Sequence, residues 1–77
     1  MLQKILVIDD EMTIDLVKYI FDNDQYIQVD GILENQDYLK IIKENQYDTI
    51  LLNASPSNLH GMEILKEIRK MGEYYST

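Results

Sequence analysis

The sequence predicts an α/β fold in which three parallel strands alternate with three helices, in the order β1α1β2α2β3α3. Two observations carry this. Apolar runs at Ile5-Leu6-Val7-Ile8 and Ile50-Leu51-Leu52 each end in a polar residue that turns the chain. Between and after the strand-like runs lie stretches of about 10–13 residues with helical apolar spacing, the signature of βαβ units.

The elements follow in order. Residues 4–8 (Lys4 to Ile8) are too uniformly apolar to leave a face for water, so they form a buried parallel strand. Residues of about 12–23 read as a helix, with Ile14, Val17, Ile20 and Phe21 as its apolar stripe. Thr13 helps to cap its start, and Asn23-Asp24-Gln25 ends it. The run Tyr26 to Ile32 alternates apolar and polar residues, as a half-exposed edge strand does. A second helix is expected over about residues 35–46, turning Tyr38, Leu39, Ile41 and Ile42 inward. Asn45 to Asp48 turns the chain into the strand at 49–52. After the polar loop Ala54 to His60, a last helix over about 61–71 faces the core with Met62, Leu65, Ile68 and Ile64. Gly72 is placed to cap it, and Glu73 to Thr77 is a short tail. No repeat or linker divides residues 1–77, so one domain is expected.

Composition narrows the function. A chain of 77 residues is near the lower limit for independent stability and buries only about 60% of its unfolded surface. It has no cysteine, which excludes disulfides and thiolate metal sites and is compatible with a reducing cytoplasm, the expected location. No apolar run approaches the roughly 18 residues of a membrane span. A net charge of −7 argues against nucleic acid, whose phosphates require clustered lysine and arginine. Lys66, Arg69 and Lys70 lie close together, where they complement a helix C-terminus. There is no Ser/His or Cys/His pair, and Gly31, Gly61 and Gly72 are too dispersed for a nucleotide loop, so an enzyme is not expected.

Chemistry in an open α/β sheet gathers at the carboxyl ends of the strands. Asp9, Asp10 and Glu11 end the first strand, and Asn53 ends the third. If those strands are neighbours, Asp10 and Asn53 face one crevice. Carboxylates packed there repel one another unless a cation neutralises them, and an oxygen-rich cluster suits magnesium. Plainer roles exist for each residue. An acidic run favours a helix N-terminus, an asparagine after a strand is a common turn residue, and His60 stands alone as a loop residue. The four methionines and six tyrosines fit packing better than a cofactor site.

Taken together, Lys4 to Glu11 (KILVIDDE), Asp48 to Asn53 (DTILLN), Pro56, Gly61 and Met62 to Arg69 closely resemble a response-regulator receiver domain, over essentially the whole chain. The resemblance implies a flavodoxin-like fold with strand order 2-1-3-4-5, of which this chain supplies 2-1-3. It implies that Asp9 and Asp10 are the magnesium-binding acidic pair and that Asn53 occupies the position of the phosphoaccepting aspartate. The main-chain carbonyl of Ser55 would be the remaining protein ligand, and Gly61 the glycine opening the third helix. A histidine kinase is the implied phosphodonor.

Three departures from the family pattern matter. Asn53 carries an amide, a poor nucleophile, where covalent phosphoryl transfer needs a carboxylate. Pro56 stands one residue early relative to position 53. The chain stops at Thr77, about where a fourth strand would begin, so the switch serine or threonine and the phosphate-binding lysine have no counterpart. The expected result is a degenerate receiver-like module, weak in magnesium at best. It would act by binding to a kinase or output partner, or by self-association. The exposed third-strand edge (Ile50, Leu51, Leu52) would pair two copies as a dimer. Two other readings stand beside it: a fragment or variant of an ordinary phosphorylatable regulator, and a small oligomeric scaffold without signalling chemistry.

Overall fold

The computed structural model describes residues 2–54 and 57–71. The elements are β1 (Gln3–Asp9), α1 (Glu11–Ile20), β2 (Ile27–Leu33), α2 (Tyr38–Glu44), β3 (Thr49–Leu52) and α3 (Leu59–Arg69). They build a parallel sheet of order β2-β1-β3. This is the α/β, flavodoxin-like arrangement expected from the sequence. The uniformly apolar strand takes the centre because only there are both faces covered: Ile5, Leu6, Val7 and Ile8 are all buried. No helix among the described residues is long and apolar enough to cross a membrane.

Strand alternation divides the core in two. Leu6 and Ile8 point to one face, where Ile32, Ile42, Tyr47, Ile64 and Ile68 pack with α2 and α3. Ile5 and Val7 point to the other, beneath Ile14 of α1, with Val17, Phe21 and Val29 around them. Gly31 is required on that face, because a Cβ there would overlap the side chain of Ile14.

Several boundaries and inward residues differ from the sequence expectation. α1 ends at Ile20, and Phe21 is its C-cap. Ile20 is 62% exposed, so it leaves the expected inward stripe. At 100° per residue Ile14, Val17 and Phe21 share one face, while Ile20 falls a quarter-turn away from Phe21. α2 starts at Tyr38, later than residue 35. Gln36 bonds back to Leu33 through its backbone N–H (3.0 Å) and its side-chain oxygen (2.9 Å), and Asp37 then takes the N-cap by accepting from Lys40 N–H. α3 starts two residues before Gly61, because Asn58 caps it by accepting from Gly61 N–H at 3.1 Å. Within α3, Ile64 and Ile68 carry the burial, and Met62 and Leu65 are only half-buried.

The expected turn at 45–48 contains a core residue. Tyr47 is 7% exposed, its hydroxyl donates to Asp30 at 2.8 Å, and Lys4 Nζ lies 5.2 Å from its ring centroid. Asp48 locks the entry to β3 by accepting from Lys4 N–H at 2.8 Å and returning its own N–H to the Lys4 carbonyl. Pro56 and the cap expected at Gly72 lie outside the described residues.

Candidate functional site at the carboxyl ends of β1 and β3

Because β1 and β3 are adjacent and parallel, their carboxyl ends open on the same side. Asp9 is the last residue of β1, and Asp10 is the N-cap of α1. Each carboxylate spends one oxygen on backbone: Asp9 accepts from Asp10 N–H and Asp10 from Thr13 N–H, both at 2.7 Å. The Thr13 backbone bond, with a smaller contribution from its hydroxyl, holds the Asp10 carboxyl below its ordinary range. Both carboxylates line the hollow at this end of the sheet.

An open hollow of about 500 Å³ lies over these groups, and Asp9, Asp10, Glu11 and Asn53 all line it. The four residues that the sequence brought into question therefore share one crevice. The hollow also draws in Glu34, Asn35, Asn58 and His60, which sequence reasoning missed. For Glu34 a signal existed: it follows directly after β2, at the same end of the same sheet. His60, expected in a loop, lies in the first turn of α3 with Nδ1 3.5 Å from a Glu34 carboxyl oxygen.

The backbone at position 53 is held from two sides. Asn58 Nδ2 donates to the Asn53 carbonyl oxygen at 2.7 Å, while Asn58 Oδ1 caps α3. Gly61 lies so close that a Cβ would overlap that same carbonyl. A third contact, at 3.5 Å, runs from Asn58 Nδ2 to Glu34. One asparagine thus ties the end of β3, the start of α3 and the loop after β2.

Among the described residues the hollow is lined by carboxylates, amides, one imidazole and Leu33, with no lysine or arginine. That chemistry suits a cation rather than an anion. The donors fit magnesium in kind, being hard oxygens, but fall short in number. Among the described residues no three His, Cys, Asp or Glu side chains are grouped to hold a metal ion, and Ser55 lies outside them.

The family model described as the response regulator receiver domain matches residues 5–76. No curated protein and no solved structure matches the chain.

Proposed function

Because this chain belongs to the response regulator receiver domain family, whose members are two-component signalling modules, we propose that it is a receiver-like module that works by binding and is not phosphorylated at position 53. One observation carries the reading: Asn53 closes β3 and lines the hollow beside Asp9 and Asp10, where the acceptor carboxylate would stand. An acyl phosphate forms when a carboxylate oxygen attacks phosphorus, and an amide oxygen is a poor nucleophile for that step.

In this reading residues 1–77 form one receiver-like unit, located in the cytoplasm, without catalytic activity and without a nucleic-acid interface. Asp9, Asp10, the Asn53 side-chain oxygen and the Ser55 carbonyl give magnesium a partial shell. With one carboxylate fewer, occupancy needs metal on the order of millimolar. When bound, the ion would offset the repulsion between the two aspartates. The partners are a histidine kinase or output protein, and a second copy joined along the β3 edge at Ile50, Leu51 and Leu52. Among the described residues that strand pairs only with β1, which leaves its outer backbone groups available.

The test is incubation with a small phosphodonor and magnesium, followed by intact mass and peptide mapping. The expected result is no phosphoryl group at position 53. An adduct mapped to Asn53 overturns the proposal.

A further inference from the structure

Glu34 directly follows β2 and lines the same hollow as Asp9, Asp10 and Asn53. Its side chain is 26% exposed, so much of it is withdrawn from water. Among the described residues its partners nevertheless stand far off: Asn58 Nδ2 is 3.5 Å from one carboxyl oxygen and His60 Nδ1 is 3.5 Å from the other. Asp9 and Asp10, by contrast, each accept a backbone N–H at 2.7 Å. A carboxylate shielded from water and only loosely paired gains most from a positive charge brought near it.

Asn58 fixes where Glu34 stands relative to position 53. The same nitrogen that donates to the Asn53 carbonyl also faces Glu34, so one amide links that carboxylate to the main chain of a residue whose own side chain is uncharged. In the strand order β2-β1-β3, Asp9 ends the middle strand, Glu34 follows one outer strand and Asn53 follows the other. Magnesium dehydrates reluctantly and keeps several of its waters, so a third carboxylate serves it without touching it. Three carboxylates close enough for direct ligation, which the described residues do not provide, are therefore not required.

We propose that Glu34 supplies the third negative charge for a hydrated divalent cation in this hollow, the charge that the amide at position 53 does not provide. The inference rests on the reading of the hollow as a weak magnesium site. Asp9 and Asp10 give direct oxygen ligands, and Glu34 accepts hydrogen bonds from water that the ion retains. Groups that act one layer out in this way are worth about 10–100-fold in metal affinity. In turning toward the ion, Glu34 gives up its long contacts to Asn58 and His60, and these are the weakest polar contacts that hold any carboxylate to the site. His60, in the first turn of α3, registers the change. The chain has one histidine, so its imidazole is an unambiguous reporter.

The test is a magnesium titration of the 77-residue chain at constant pH and ionic strength, followed by the proton resonances of the His60 imidazole. In the wild type they should move along a saturating curve with a midpoint on the order of millimolar. Glu34→Gln keeps the size and removes the charge, and its midpoint should rise by at least about tenfold. Glu34→Asp keeps the charge and should stay within about threefold of the wild type. Glu44→Gln, which removes a charge from α2 outside the hollow, should titrate as the wild type does. Position 34 is a turn outside the helices and strands, so circular dichroism should be unchanged in both of its variants. A midpoint unchanged in Glu34→Gln, or raised as far in Glu34→Asp, overturns the role of Glu34 while leaving the magnesium reading standing. A wild type that shows no saturation up to about 100 mM magnesium overturns both.

Discussion

Asn58 Nδ2 donates to the Asn53 carbonyl oxygen at 2.7 Å, so the residue that caps α3 also holds the end of β3. The position that defines the site is therefore set by its backbone, whatever side chain it carries. Replacing Asn58 by alanine should cost about 1–2 kcal/mol, the sum expected for a lost cap and a lost hydrogen bond. Asn58→Asp keeps the capping oxygen but sets a carboxylate against the Asn53 carbonyl and Glu34, so it should not restore stability. Urea unfolding measures both; wild-type stability in Asn58→Asp would show that the Nδ2 contact contributes nothing.

Asn53→Asp places a third carboxylate beside Asp9 and Asp10. Without metal the variant should melt below the wild type, because like charges raise one another's pKa and oppose ionisation. Adding about 10 mM magnesium should stabilise the variant far more than the wild type, since only a bound ion shifts the folding equilibrium. An equal metal response in both proteins would sink the idea that the amide weakens the site.

Tyr47→Phe removes the hydroxyl that donates to Asp30 and leaves the ring in the core beneath Lys4. A loss of about 1 kcal/mol is expected. Tyr47→Ala should cost about 3–5 kcal/mol, because it also empties a core position. Thermal melts of the pair separate the polar contribution from the packing; similar losses in both would mean that the ring itself contributes little.

Stability should form a plateau bounded by two groups. Burial, followed by the charges of Glu67, Glu63 and Asp37, raises the Tyr38 phenol above its ordinary 10.0. A raised acid favours the protonated folded state, so its contribution is whole below 10.0 and is lost as pH climbs through the folded value. Asp10 has the opposite sign. Its folded value lies below 3.8, so its contribution is whole above 3.8 and is lost as pH falls through the folded value. Melting temperature against pH tests both limbs. Tyr38→Phe should flatten the alkaline limb, and an unchanged limb would assign it to another group.

Much of the architecture was legible because it rests on short-range pattern. Ile5 to Ile8 could only be a strand buried on both faces, and β3 at 49–52 was bounded correctly by its apolar run and flanking polar residues. Helix ends were less legible, since they depend on side-chain caps whose partners lie several residues away. Gln36 bonding back to Leu33 delays α2, and Asn58 reaching Gly61 advances α3. The carboxyl-end rule found Asp9, Asp10, Glu11 and Asn53. The same rule reaches Glu34, which directly follows β2 at that end of the sheet.

The sequence alone determined the element order, the central strand, the acidic pair and the amide at position 53, because these follow from local periodicity and residue chemistry. Only the tertiary structure decided which of two apolar neighbours is core and which is surface. Tyr47 is buried because β1 brings Lys4 and the α2 face over a segment that reads as a turn. Ile20 and Leu51 are exposed because α1 sits over β2 and β1, and nothing in their own neighbourhood in the chain records where that helix comes to rest.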